Sequence, residues 1–534
     1  MTMFDAVVEA YARLGGNVSA VARELGVHRS TVQYHLRKSD IYDPARTEDD
    51  PIIHGNLDIL EPDQRAIPET GHKTYIFTSA QNNTRINEAL WENLLALTEH
   101  HDAELIVGTY SYNINAYGVN TKRGHEEDGE EGDGLWYDPR LLPYIEAGDD
   151  LNIMLADTLQ WCGRANLMPT AVNPLSGFET YCGAASGIFP HAKFALQSLP
   201  VMKGEPARMN YTTGTVTQRN YIARKAGLKA EHHHAYGALI VEVDSDGDWF
   251  VRQLNADSDG RICDLDYMVE NGEIVEDIRA AAITWGDIHY SKMDKDIEEL
   301  NWAGGGIADY LEPQHQFIHD LVDFEARRHH NSKDPHVRFK LFCEGQDSVR
   351  DEMANASDFL ENIKRDDCKT VVVDSNHDND LDRWLREADY REDPANAHFF
   401  LLCQLAKYYA IHQGEEHHSI EWVMTEVMGV KDVKFLRPDE SYIVEGIEQG
   451  MHGHLGPNGA RGTPRNLSKI TSKANTGHTH SASIIDGCYT AGVSGKLEQG
   501  YNVGPSSWTN SHVVTYQNGK RAIITIRNGK WRAN

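Results

Sequence analysis

Thr370-Val371-Val372-Val373-Asp374-Ser375-Asn376-His377-Asp378 joins a short β-branched run to a cluster of polar side chains. The run reads as a buried strand. The polar residues fall just past its end, where open α/β sheets place their sites. The same arrangement recurs on either side. Upstream, Ala281-Ala282-Ile283-Thr284-Trp285 precedes Asp287-Ile288-His289, and Asp320 sits within Phe317-Ile318-His319-Asp320-Leu321-Val322-Asp323. Downstream, Tyr442-Ile443-Val444-Glu445-Gly446-Ile447 precedes His452-Gly453-His454, and Gly477-His478-Thr479-His480 closes the series. Strands far apart in sequence can bring their ends to one point. The five motifs are therefore a candidate metal-ligand set. A mixture of Asp, Asn and His suits manganese, iron or zinc better than calcium.

In this order the motifs resemble the signature of calcineurin-like metallophosphoesterases: Asp-x-His, Gly-Asp, Gly-Asn-His-Asp/Glu, His and Gly-His-x-His. The resemblance covers about residues 279–534. It departs at two points, where His319 and Ser375 stand in place of glycines. It implies an αββα sandwich holding two divalent ions, manganese first, with iron or zinc as alternatives. Asp287, His289 and His480 would bind one ion, and Asn376, His452 and His478 the other. Asp320 would bridge them, with Asp323 the weaker candidate for that role. His377 would act at the leaving group as a general acid, and Asp378 would orient it by a hydrogen bond. His454 would stand behind the ligands. Within the superfamily the SbcD-type nucleases are the nearest functional relatives, and they imply a homo-oligomer.

The remainder of the chain reads as α/β with a small helical head. Residues 1–40 have the pattern of a helix-turn-helix. Ser19–Leu25 and Ser30–Leu36 form its last two helices, Gly26-Val27 turns between them, and Ala22, Leu25, Val27, Val32 and Leu36 pack them together. Arg29, Ser30, Gln33 and Tyr34 would then face the major groove. Residues 41–70 are acidic and carry Pro44, Pro51, Pro62 and Pro68, a linker composition. Residues 71–278 open as β-α-β, with strands at Lys73–Ala80 and Glu104–Tyr110 around a helix bearing Ile86, Leu90, Leu94 and Leu97. An acidic glycine-rich loop follows at 124–134. His232-His233-His234 borders a strand-rich region, where neighbouring side chains would point to opposite faces and could not converge on a metal. Asn271-Gly272 signals a hairpin. Helices are expected at 346–363 and 398–410, covering a sheet.

Composition narrows the setting. Seven cysteines without a Cys-x-x-Cys point to reduced, buried thiols. No apolar run approaches the roughly 18 residues of a membrane span, and the amino terminus lacks the look of a signal peptide. The net charge is −30, yet charge is uneven. Residues 13–38 hold five basic residues against Glu24 alone, a net +4, and residues 455–477 hold Arg461, Arg465, Lys469 and Lys473 with no acid. Such local patches decide where a polyanion docks. The four basic residues of 455–477 are read as guides for a DNA backbone.

The whole-chain order of helix-turn-helix, middle α/β domain and carboxy-terminal phosphoesterase resembles the early DNA-transfer proteins of T-five-like bacteriophages. That resemblance implies a metal-dependent DNase in the cytoplasm of a bacterial host, acting in DNA transfer and host DNA degradation. Two other readings stay open. One is a small-molecule phosphodiesterase or protein phosphatase using the same metals. The other is a non-catalytic DNA-binding transfer factor.

Overall fold

The computed structural model describes residues 3–13, 21–22, 24–27, 29–36, 73–112, 136–146, 152–329, 332–500 and 502–533. The expected linker at 41–70 and the acidic loop at 124–134 lie outside them. The chain divides into two compact units, Met1–Pro62 and Asp63–Asn534.

In the first unit, α1 (Met3–Arg13) and α2 (Arg29–Leu36) enclose a small core of Val7, Ala10, Val21, Ala22, Val32 and Leu36. Leu25 and Val27 pack against it, as the spacing predicts. Gly26 makes the turn at φ +65°, a conformation that costs glycine little. Arg29, Ser30, Gln33 and Tyr34 belong to α2, but their side chains lie outside the described residues.

The second unit is mixed α/β. It opens with β1 (Lys73–Gln81), α3 (Glu88–His100) and β2 (Glu104–Tyr110), and β1 and β2 pair in parallel as expected. Five short strands follow: β3 (Asn152–Ala156), β4 (Leu159–Cys162), β5 (Ser186–Phe189), β6 (Leu196–Leu199) and β7 (Arg208–Thr212). Then come α4 (Lys225–His233), β8 (Gly237–Val243) and β9 (Trp249–Asn255). The hairpin at Asn271-Gly272 joins β11 (Tyr267–Glu270) to β12 (Glu273–Val275), after β10 (Ile262–Asp264), and both turn residues have positive φ. His232 and His233 end a helix rather than border a strand. His234 caps it, buried, with Nδ1 2.8 Å from the Tyr221 hydroxyl. None of the three joins a metal-competent group among the described residues.

The site rests on the next elements. These are β13 (Ala282–Thr284), β14 (His315–Ile318), α5 (Val349–Ile363), β15 (Lys369–Val372), α6 (Ala397–Gln413) and β16 (Val433–Phe435). After them come β17 (Ile443–Val444), β18 (Ile447–Glu448), α7 (Pro464–Leu467), β19 (Ala474–Thr476), β20 (Ser483–Ile485), β21 (Cys488–Thr490), β22 (Ser511–Thr515) and β23 (Arg521–Thr525). The run 442–447 is not one strand. Glu445 and Gly446, both at positive φ, fold it into the β17–β18 hairpin. A six-stranded sheet has the order β16-β15-β14-β13-β22-β23, with β13 to β16 parallel. Phe359 of α5 and Phe399 and Phe400 of α6 pack with Ile283, Ile318 and Val372 on one face. Ala282, Phe317, Val371 and Val444 pack on the other.

A ten-stranded sheet, β17-β18-β19-β21-β20-β6-β7-β5-β4-β3, stands beside it. Its centre joins β20 to β6, with Ser483 opposite Gln197 and Ile484 opposite Leu196. The ten-stranded sheet thus takes strands from both sides of the expected border at residues 278/279. Strands of three to five residues carry too little alternation for their partners, nearly 300 positions away, to be read from sequence. Beneath the site the two sheets share a buried polar network. Thr284 Oγ1 donates to Gln449 Oε1 (2.9 Å), and Asn475 Nδ2 donates to Thr284 Oγ1 (3.3 Å) and Thr515 Oγ1 (3.0 Å). Buried polar groups satisfied this completely fix one relative placement of the elements that carry them.

Candidate metal centre

Each of the five motifs follows a strand: β13, β14 and β15 in one sheet, β18 and β19 in the other. Parallel strands put their carboxy ends on one edge, so the polar residues meet there. Asp287, His289, Asp320 and His480 form one buried group whose potential ligand atoms lie within 4.8 Å of one another. His289 Nε2 is 2.9 Å from His480 Nε2 and 3.4 Å from Asp320 Oδ2, and His480 Nε2 is 3.1 Å from Asp287 Oδ2. On the other side of Asp320, His452 Nε2 is 3.3 Å from Asp320 Oδ2 and 3.1 Å from Asn376 Oδ1. One carboxylate oxygen therefore stands between two imidazole edges. Asp287 Oδ1 is buried without a hydrogen-bond donor. Imidazole nitrogens and orphaned carboxylate oxygens facing each other across so short a gap fit a cation held between them. These buried groups could hold a metal ion.

The expected ligands divide by distance. His478 lies farther out. Its ring centroid is 5.2 Å from that of His452, while its backbone N–H donates to Asp287 Oδ2 at 2.7 Å. Asp323 does not share the place of Asp320. Its Oδ1 accepts from His289 Nδ1 at 3.1 Å, the contact that turns a ligating nitrogen toward a metal. Asp323 also holds His377, whose Nδ1 is 3.2 Å from the Asp323 carbonyl. Asp378 does not orient His377. Its carboxylate instead accepts from the backbone N–H groups of Val322 (3.0 Å) and Leu321 (3.4 Å) and braces the loop that presents Asp320. Ser375, in the place of a glycine, uses its hydroxyl to accept the Asp378 N–H at 3.3 Å.

The backbone is strained at several of the candidate ligands. His289, Asp320, His478 and His480 all have positive φ, from 43° to 72°. Such conformations cost roughly 1–3 kcal/mol each and persist where surrounding structure imposes them. Gly477 is required for space, because a Cβ there would stand 2.1 Å from Asp287 Oδ1.

The electrostatics divide these groups: without a metal His452 holds its proton, whereas His480 and His478 do not. Burial pushes the Asp287 carboxyl up to about 7, against the opposing charge of His452. Burial opposes charge on His452 as well, but Asp320 and Asp287 hold it up to about 9. Asp320, which burial would raise, is held well below the carboxylate range by His452, His377 and His289. Burial takes His480 and His478 down to about 3, so both are neutral and their lone pairs are open. Metal ligands must be deprotonated in this way.

Over 477 residues the chain is 40% identical to protein A1 of Escherichia phage T5, covering 86% of this chain and 83% of that protein. The chain belongs to the protein A1 family. Residues 6–39 also match the PucR C-terminal helix-turn-helix domain. No solved structure matches the chain.

Three side chains of this A1-family site were not legible in the motifs. Arg328 follows Asp323 by five positions and places Nη2 3.2 Å from His377 Nε2. Trp508 packs edge-on against His480, with centroids 4.2 Å apart. His319 is fully buried, with Nδ1 3.2 Å from His452 Nδ1. Only its departure from a glycine pattern marked it. Asp320, Arg328, His377, His478 and His480 line one cavity with Trp508 and Arg461. Arg461 is thus the one basic residue of 455–477 that reaches it. Arg465 and Lys469 are exposed on and after α7. Lys473 sits half-buried near Arg521 at the start of β19, roughly 13 Å of extended chain from Gly477. Of the four, Arg461 lines the cavity and the other three do not.

Proposed function

We propose that this A1-family chain is a two-metal-dependent deoxyribonuclease that cleaves DNA phosphodiesters in the cytoplasm of an infected bacterium, during DNA transfer and host DNA degradation. The observation that carries this reading is the convergence of five strand-end motifs on Asp320, with a histidine edge on each side. Two mixed sheets, one faced by α5 and α6, support a metallophosphoesterase sandwich. Asp287, His289 and His480 would hold one ion, Asn376, His452 and His478 the second, and Asp320 both. When bound, two divalent ions, manganese by preference with iron or zinc as alternatives, would supply positive charge to the phosphate oxygens and acidify a water.

The chain's own residues do the rest. Arg328 and Arg461 place cationic charge on the cavity wall, where a phosphate enters. His377 lines the same cavity, held at Nδ1 by the Asp323 carbonyl, with Nε2 3.2 Å from Arg328 Nη2. That is the position for moving a proton to a departing oxygen. A helix-turn-helix head supplies a second contact with DNA.

The test is cleavage of linear and circular DNA with manganese, beside a generic aryl phosphodiester. Chelator-sensitive DNA cleavage supports the proposal. Aryl cleavage alone would leave a small-molecule phosphodiesterase or a phosphatase, and no cleavage of either substrate a transfer factor without catalysis.

A further inference from the structure

Helix α6 is apolar on both sides. Inward, Phe399, Phe400 and Cys403 join the core. Outward, Leu401 (46% exposed), Leu402 (37%), Leu405 (69%), Tyr408 (67%) and Tyr409 (64%) face solvent. At about 100° per residue these five fall on one arc about 120° wide, together with exposed His398 and His412. The arc holds no Asp, Glu, Lys or Arg. The helix's one charged residue, Lys407, turns away and pairs with Asp382. A helix that is hydrophobic all round belongs in an interior, and scattered exposed apolar residues do not produce so clean a stripe.

The pattern of the arc names its partner. Counted from Leu405, the residues lie at −7, −4, −3, +3, +4 and +7: His398, Leu401, Leu402, Tyr408, Tyr409 and His412. The arrangement is symmetric, with histidine at both ends, a pair of leucines on one side and a pair of tyrosines on the other. An antiparallel copy of the same helix, related by a two-fold axis through Leu405, would set each leucine pair against the partner's tyrosine pair. The spacing is that of helices packed side by side at 8–10 Å. A two-fold contact must be self-complementary, whereas a different protein would impose no such symmetry. Charge agrees. The chain carries −30, so two copies repel over most of their surfaces and can meet only where charge is missing.

We infer that the outer face of α6 is a homodimer interface, closed on a second copy of this chain about Leu405. The full-length protein should sediment at twice its 60.0 kDa chain mass at micromolar concentration. Leu405→Glu, which sets two carboxylates face to face on the axis, should raise the dissociation constant on the order of 100-fold or more. Leu405 is exposed on the single chain, so the variant should still melt cooperatively, lower than wild type only by the lost stabilisation of the dimer. In a Cys343→Ser background, Leu405→Cys should form a disulfide-linked dimer on oxidation, and Ile411→Cys, which lies off the arc, should not. A monomeric wild type, a Leu405→Glu variant that dimerises as tightly as wild type, or equal cross-linking at 405 and 411 would each overturn the inference.

Discussion

Asp320 and His377 are close neighbours with separable duties. Asp320 Oδ2 lies within 3.4 Å of His289 and 3.3 Å of His452, so it faces both groups of candidate ligands. Asp320→Asn should therefore reduce manganese binding more than His480→Ala does, which calorimetric titration would show as loss of the two-site signature. Retention of two sites would move the shared role elsewhere. His377 contacts Asp323 and Arg328 through its ring and Asp320 only through its backbone N–H. His377→Ala should keep metal and lose about 10²–10⁴-fold in turnover, the usual contribution of a general acid or base. Metal content measured beside kcat decides this, since a variant that lost metal yet kept its rate per bound ion would refute the role. The motifs announced both residues. They did not announce that Asp378 braces a backbone loop, because the sequence pattern is the same whether a carboxylate meets a ring or an N–H.

At the scale of elements, the proposed function would divide DNA binding between the head and the loop 455–477. Among the described residues the head's core is formed by its own side chains, and the head holds none of the candidate ligands. Deleting residues 1–38 should weaken DNA binding while leaving hydrolysis of an aryl phosphodiester intact. Parallel measurements on the two substrates would show it, and an equal loss on both would assign the head to folding instead. In the loop, Arg461 reaches the cavity and Lys473 lies near Arg521, away from it. Each phosphate contact contributes about 0.7–0.9 to the slope of log affinity against log salt. Arg461→Gln should flatten the slope by about one contact and Lys473→Gln should leave it unchanged. Equal effects would mean that the strand passes along the whole loop. Composition showed the absence of acids here, but the turn that brings Arg461 inward depends on Gly462, which lies against the Gly453 carbonyl.

The second unit is joined more tightly than its linear order suggests. Strands β3 to β7 and β17 to β21 share a sheet, and Ile523 of β23 donates its N–H to Gln253 of β9 at 2.8 Å. Residues 279–534 expressed alone would leave β20 with a bare edge and uncover Ile484 and Ile523 from their packing with Leu196, Tyr211 and Leu239. That fragment should lack a cooperative thermal transition, and the fragment 63–534 should show one. A cooperatively melting 279–534 fragment that binds manganese would restore the border at 279.

The sequence by itself determined the local features of this protein. The β1-α3-β2 start, the positions of α5 and α6, the Asn271-Gly272 turn, the packing of the helical head and the five polar motifs at strand ends all follow from hydrophobic period, turn chemistry and donor type. Each is settled within about a dozen neighbouring residues. Only the tertiary structure decided which strands share a sheet, that Asp323 rather than Asp378 holds His377, that Arg328 and Trp508 wall the cavity, and that the uncharged arc of α6 is left facing solvent. Those outcomes depend on contacts between residues tens to hundreds of positions apart. Such contacts are chosen by how complete surfaces fit and how buried polar groups are satisfied, and no local pattern records that choice.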